Sequence, residues 1–346
     1  MPKKNSYITA TDQFCGAGGS TTGAKLAGVE VKMALNHWKL AIETHNTNHP
    51  DTDHDCTDVQ ACDPRRYPST DILITSPECT NHSLAKGRKR KFQEQYKLFG
   101  KVDIRPEEER SRATMWDVPR FAEFHDYNII IVENVVDARY WRLWQAWLKA
   151  MHDLGYDHQC CYLNSMFFQP CPQSRDRMYV VFWKKGNKKP NLEFRPVAPC
   201  HECGEKESYQ HWKKQEKKWG KYKQQYVYRC SNCYQEVTPY YYAAFNCIDW
   251  TLPGTRIGDR KRPLAKKTIE RIKYGLEKYG KEPFYLATRY TSGVSSRVKK
   301  LSGPIGTQSG GVSHGFCVPF VLNSAYNKKP RLVTDNLQAV TTHQSM

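Results

Sequence analysis

Residues 10–28 read ATDQFCGAGGSTTGAKLAG, the end of a strand-like stretch that breaks into glycines and then resumes with helix-forming residues. Gly16, Gly18 and Gly19 fall directly after a strand-like segment and before a helix. Glycines there let the backbone turn tightly and approach a ligand closely, while the helix N-terminus offers unpaired N–H groups. The loop lacks the lysine of a phosphate-gripping P-loop, which disfavours nucleoside triphosphates and leaves a nucleotide-type or adenosyl-type pocket. Further along, Asn36 or His37 follows the second apolar run, where an acidic residue would normally grip a ribose. Asp58 is placed to meet an adenine edge, with a solvated loop group as the plain alternative for each of the three.

Working outward, short β-like runs at residues 7–12, 29–35, 71–75, 128–132 and 178–183 alternate with helical segments. That alternation predicts an α/β fold, a parallel sheet with crossover helices. In YWRLWQAWLKAMHDLG (140–155), Trp141, Trp144, Trp147 and Leu148 recur at helical spacing and read as core. A second amphipathic helix, LAKKTIERIKYGLEKYG, spans 264–280. Residues 184–199 read as a linker, and two domains are expected, 1–188 and 189–346.

The 346 residues carry 53 Lys and Arg against 35 Asp and Glu, a net charge of +18, so a polyanion is the first partner to consider. No signal peptide and no apolar run of about 20 residues is evident, so the chain is expected to be neither secreted nor membrane-bound but cytoplasmic, in a prokaryote or a phage-infected cell. In such a reducing compartment the 13 cysteines are ligands, reactive thiols or small core residues rather than a disulfide framework.

Four of those cysteines form two CxxC pairs, Cys200 with Cys203 and Cys230 with Cys233, separated by 26 residues. Four thiolates in this spacing suit a closed structural Zn2+ site of the ribbon kind. Between the pairs, SYQHWKKQEKKWGKYKQQYVYR (208–229) interleaves Trp212, Trp219, Tyr222, Tyr226 and Tyr228 with basic residues. Lysines suit phosphates and aromatics suit bases, the alternative being a solvated basic hairpin.

Four motifs now stand in one order: FCGAGGS (14–20), SPEC (76–79), VENV (132–135) and PQSRDRMYVV (172–181). Their succession resembles the cytosine-5 DNA methyltransferase family over roughly the first 185 residues. The resemblance implies a Rossmann-like fold, S-adenosylmethionine as donor, double-stranded DNA as partner and methylation of a flipped cytosine. It implies Cys79 as nucleophile and Glu133 as holder of the cytosine edge. Arg175 and Arg177 would fix the base and the catalytic loop, with Gln173 as the motif glutamine. Phe14, Gly16, Gly18, Asn36, His37, Asp58 and Pro77 would line the cofactor site, and the cysteine-bracketed insert would belong to a smaller, irregular, zinc-stapled target-recognition domain.

Covalent catalysis explains the cysteine, because carbon 5 of cytosine attacks a methyl sulfonium only after a thiolate has added at carbon 6. Arg88, Lys89, Arg90 and Lys91 follow closely; a solvated basic loop is the default reading of such a run, and the functional one is that they favour the thiolate and hold phosphates. The order Pro77, Glu78, Cys79, Thr80 departs from the family's Pro-Cys-Gln. The family's closing Gly-Asn-Ser/Ala-Val segment has no counterpart before Met346, which leaves three readings: a truncated chain, a second chain or segment that completes the pocket, or a pocket closed differently. Two alternatives stand beside the main reading: a tRNA cytosine-5 methyltransferase, and a non-catalytic or split DNA-binding relative needing a partner chain.

Overall fold

The computed structural model describes residues 7–78, 114–168, 170–249, 251, 260–280, 282–287, 297–306, 314–317, 320–321 and 331–332. The chain divides into two compact units, Met1–Leu163 with Asp176–Arg195 and Lys206–Thr238, and Asn164–Arg175 with Pro196–Glu205 and Pro239–Met346.

The first unit is built on strands β1 (Thr9–Gln13), β2 (Glu30–Asn36), β3 (Asp53–Cys56), β4 (Ile72–Thr75), β5 (Ile129–Asn134), β6 (Tyr156–Asn164) and β7 (Asp176–Lys184). They form one sheet in the order β3-β2-β1-β4-β5-β7-β6. The pairs β1–β2, β1–β4, β2–β3 and β4–β5 are parallel, and β5–β7 is antiparallel. The strand order reverses between β1 and β4, and open α/β sheets bind their ligands beyond the carboxyl ends of strands at such a switch point. This is the α/β Rossmann-like architecture the motifs implied.

Burial explains why the sheet holds. Leu35, Leu73, Ile130 and Phe182, on β2, β4, β5 and β7, are fully buried, as expected of a sheet covered on both faces. The covering helices are α1 (Gly19–Leu26), α2 (Lys39–Asn48), α3 (Asp117–His125) and α4 (Trp144–Asp153). Trp141, Trp144, Trp147 and Leu148 are buried, and the Trp147 indole Nε1 donates to the Met115 carbonyl at 2.7 Å. Two strands escaped the hydrophobic pattern. β3 reads DHDC and is a polar edge strand, and β6 reads YDHQCCYLN at the opposite edge, where half-exposure removes the need for an apolar run.

Residues 185–196 carry no helix or strand, and β8 (Val197–Cys200) begins the insert. Within it β9 (Gly204–Trp212) pairs antiparallel with β10 (Tyr226–Cys230), which pairs with β11 (Glu236–Val237). In the second unit, β12 (Phe284–Ala287) runs between β13 (Val298–Lys300) and β14 (His314–Cys317). Helix α5 (Lys266–Tyr279) packs Ile272 against Phe284, Leu286 and Val298. Its Gly275 lies so close that an added Cβ would stand 2.2 Å from the Phe284 ring. Among the described residues, no helix is long and apolar enough to cross a membrane.

Candidate functional site

The loop from β1 to α1 alternates between ordinary and left-handed backbone. Phe14, Gly16 and Gly18 have φ of 56°, 55° and 98°. A non-glycine residue such as Phe14 is rarely found there, and such strain concentrates where a loop must be shaped for a ligand. Gly18 has a second constraint: a Cβ at that position would lie 2.5 Å from the His49 ring. His49 Nε2 lies 3.0 Å from the Gly18 carbonyl, and the Thr22 hydroxyl donates to the same oxygen at 2.9 Å.

A buried polar chain underlies this loop. Ser20 and Thr21 donate to Asp12 Oδ2 at 2.5 and 2.8 Å. Thr21 Oγ1 lies 3.0 Å from His45 Nε2, and His45 Nδ1 lies 2.7 Å from His54 Nε2. Because the single Thr21 proton goes to Asp12, His45 Nε2–H must donate to Thr21, so His45 Nδ1 accepts from His54 Nε2–H. Burial pushes the Asp12 carboxyl up to about 6, and burial with the neighbouring imidazoles pushes His45 down to about 4. Burial, with Asp12 nearby, raises the Cys15 thiol to about 12, which makes it inert.

At the switch point, buried side-chain atoms stand without a hydrogen-bond partner among the described residues: Asp12 Oδ1, both amide atoms of Gln13 and Thr75 Oγ1. Gln13 and Thr75 are register neighbours on β1 and β4. Unsatisfied buried polar groups are costly, so these atoms suit a polar ligand or water. Asn36 ends β2, and its Oδ1 accepts the Trp38 N–H at 2.9 Å. His37 Nδ1 lies 3.8 Å from Glu78 Oε1. Asp58 organises the turn after β3, accepting the Gln60 N–H at 3.1 Å. Trp38 had no place in the sequence reading, yet it is 59% exposed beside Asn36 and His37. An indole left in solvent next to a polar turn is a stacking surface, and its exposure was not legible from a single tryptophan after an apolar run.

Glu133 and Arg177 come together. Glu133 stands opposite Tyr179 in the β5–β7 register, so Arg177, two residues before Tyr179, projects on the same face. Arg177 Nε lies 2.5 Å from Glu133 Oε1, with the side chains 15% and 26% exposed. The next residue, Asn134, ties VENV to SPEC: its Nδ2 donates to the Pro77 carbonyl at 3.4 Å and its Oδ1 accepts the Val135 N–H at 2.8 Å. Thr114 Oγ1 donates to the Glu78 carbonyl at 3.4 Å. The chain leading to the expected nucleophile is thus held on both sides, while Cys79 itself and the basic run Arg88, Lys89, Arg90 and Lys91 lie outside the described residues.

Arg175 belongs to the other compact unit. There Asn164 Oδ1 accepts the Arg175 backbone N–H at 3.1 Å, Ser165 Oγ donates to the Gln173 carbonyl at 2.6 Å, and Gln173 bridges to Ile305. Arg175 Nε is buried without a partner among the described residues.

Cys200, Cys203, Cys230 and Cys233 place their four sulfurs within 4.8 Å of one another. A tetrahedral Zn2+ with Zn–S distances of about 2.3 Å needs sulfurs roughly 3.8 Å apart, so the donor set fits the ion. The aromatic residues between the pairs correct an expectation: Trp212, Tyr222, Tyr226 and Tyr228 are buried and pack ring against ring, because the small hairpin has little other apolar material to bury. Of the five, Trp219 alone is not buried.

A family model described as C-5 cytosine-specific DNA methylase matches residues 8–273. The type II methyltransferase M.HgiDI of Herpetosiphon aurantiacus is 27% identical over 180 residues, covering 51% of this chain and 52% of that protein. M.HgiGI of the same organism is 34% identical over 77 residues, 21% of this chain and 61% of that protein. The chain thus spans about half the length of the first curated relative and less than two thirds of the second. A solved structure from an E. coli prophage, named as a DNA modification methyltransferase, is 18% identical with a TM-score of 0.42 and covers 62% of each chain. A DNMT2 structure from Spodoptera frugiperda is 16% identical with a TM-score of 0.41, over 54% of this chain and 52% of that one.

Proposed function

The chain belongs to the C-5 cytosine-specific DNA methylase family, and from that premise we propose that it transfers a methyl group to carbon 5 of a cytosine swung out of duplex DNA. The observation that carries the reading is the Glu133–Arg177 pair, 2.5 Å apart at the ends of two adjacent strands and next to the anchored Pro77–Glu78 segment.

In this reading the Cys79 thiolate adds to carbon 6 of the flipped base, forming an S–C6 bond and pushing electron density to carbon 5. Glu133 meets ring nitrogen 3 and shares a proton there, so negative charge does not accumulate on the ring. Arg177 holds Glu133 in place and, with Arg175, offers fork-shaped donors to the carbonyl oxygen and the loop. After transfer, carbon 5 loses its proton and Cys79 departs, restoring the aromatic ring. S-adenosylmethionine supplies the electrophilic methyl group. The glycine loop at Phe14, Gly16 and Gly18, the polar atoms of Gln13 and Thr75, and Asn36, His37, Asp58 and Pro77 would hold it, with the exposed Trp38 ring as a stacking face for adenine. The reacting carbon is unreachable inside a helix, so extrusion of the base, at about a few kcal/mol, is part of the mechanism.

Zinc bound by the four cysteines would staple the insert, and residues 189–346 would serve as the target-recognition region. The test is covalent trapping. Fluorine at carbon 5 cannot leave as a proton does, so duplex DNA containing 5-fluorocytosine should form a denaturation-stable adduct with the protein and none with Cys79→Ala. A 5-fluorocytosine tRNA run in parallel decides the nucleic acid. No adduct on either substrate in the presence of S-adenosylmethionine sinks the mechanism.

A further inference from the structure

We propose that the tip of the cysteine-bracketed hairpin, residues 219–222, is a positioning element for the Glu133–Arg177 pair. The inference rests on the reading of that pair as the holder of the flipped base.

The hairpin is shaped before it touches anything else. The Lys213 backbone N–H donates to the Gln225 carbonyl at 3.0 Å, Lys213 Nζ to the Lys223 carbonyl at 2.7 Å, and the Lys221 N–H to Gln225 Oε1 at 2.8 Å. Gly220 takes φ of 147°, and a Cβ there would lie 2.4 Å from Gln225. This turn then reaches two points beside the sheet, the helical turn that follows β5 and the first residue of β7. Lys221 Nζ pairs with Asp137 Oδ2 at 3.0 Å, with the side chains 27% and 23% exposed. The Tyr222 backbone N–H donates to Asp176 Oδ1 at 2.9 Å, and the Tyr222 ring is buried. Beside them Trp219 meets the edge of Tyr140 at 4.9 Å between ring centres, with the Arg139 guanidinium 5.9 Å from the indole.

The positions of the two acids give these contacts their meaning. Asp137 lies four residues beyond Glu133, and Asp176 immediately precedes Arg177. β5 ends at Asn134 and β7 starts at Asp176, so Glu133 lies one residue before the end of its strand and Arg177 one residue after the start of the other. The ladder holds Glu133 opposite Tyr179, and the hairpin tip adds a contact to one acid beside each member of the pair. The sequence invited a different role for Lys221, as one phosphate contact in a basic run. A half-buried ammonium committed to a carboxylate is not free to serve a phosphate.

The experiment compares Lys221→Met, Asp137→Asn, Lys221→Arg and Glu133→Gln, with the exposed Lys218→Met as a control. It reads the single-turnover rate at saturating DNA and donor, the DNA dissociation constant, its salt dependence, and hydrogen exchange at the Tyr222 amide. Misplacement near reacting atoms costs about ten- to a hundredfold in rate. Lys221→Met and Asp137→Asn should each slow transfer by about that factor while DNA affinity stays within threefold. The double variant should be no slower than the slower single one, because both remove one interaction. Tyr222 exchange should quicken in both, and Lys221→Arg should restore most of the rate.

A phosphate role makes the opposite pattern. Lys221→Met would then weaken DNA binding, lower the salt slope by about one and leave the saturating rate intact, while Asp137→Asn would tighten binding. That outcome overturns the proposal. So does a slow Glu133→Gln accompanied by unchanged rates in both tip variants. If Glu133→Gln itself turns over at the wild-type rate, the reading of the pair fails, whatever Lys221 does.

Discussion

Glu133 and Arg177 restrain each other through one short ion pair, and each has a second anchor: Glu133 through the β5–β7 ladder, Arg177 through donation to the Asp176 carbonyl at 2.8 Å. A carboxylate held this way presents its remaining oxygen in one direction. Arg177→Ala should therefore lower methyl transfer by about a hundredfold or more at saturating substrate, a loss read by single-turnover kinetics and expected of groups that meet the transition state. The buried chain from Asp12 to His54 makes a separate prediction about pH. Between about 4 and 6 the folded Asp12 keeps a proton that the unfolded chain has lost, so its contribution to stability falls as pH rises. Between about 4 and 6.5 the unfolded His45 takes up a proton that the folded chain refuses, so its contribution rises with pH. The two slopes oppose each other in one window, and removing one uncovers the other. Asp12→Asn should steepen the fall in melting temperature on acidification, and His45→Gln should shift the slope the opposite way, as thermal melts across that range would show. Equal slopes in both variants would refute the linkage.

The glycine loop shows why elements differ in how openly they declare themselves. Its shape was legible because a left-handed, close-packed turn demands glycine, and the sequence must show it. Gly18→Ala would place a methyl group against the His49 ring and force positive φ on alanine, so a loss of about 1–3 kcal/mol in stability and weaker donor binding are expected, by denaturant unfolding and calorimetry. The four cysteines were legible for a similar reason, since tetrahedral ligation leaves little freedom in residue type or spacing. Metal analysis should find one zinc per chain, and Cys203→Ser should lower both occupancy and melting temperature; a chain purified with far less than one ion removes the claim. What stayed hidden has equally physical causes. Edge strands β3 and β6 need no apolar run. The interleaved aromatics looked like base-stacking groups, whereas a small hairpin with little else to bury takes Trp212, Tyr222, Tyr226 and Tyr228 inward. The pairing of Lys221 with Asp137 spans 84 residues, and no local pattern announces a contact of that range.

Across the whole molecule, an excess of 18 positive charges makes polyanion binding strongly dependent on salt. With several phosphates neutralised, DNA affinity should fall by at least about a hundredfold between roughly 50 and 200 mM salt. A nearly flat salt titration would argue against an extensive phosphate footprint. In the proposed mechanism this charge would draw the nucleic acid in, while the sheet sets FCGAGGS and the start of SPEC after the two strands that flank its switch point, β1 and β4, and VENV at the end of β5. The most direct test of the central claim is the product itself. The protein is incubated with labelled S-adenosylmethionine and duplex DNA, the DNA is digested to nucleosides, and the digest is read by mass spectrometry. The account predicts 5-methyl-2′-deoxycytidine carrying the label, absent with Cys79→Ala; a digest from the wild-type reaction with no 5-methylcytosine would contradict it.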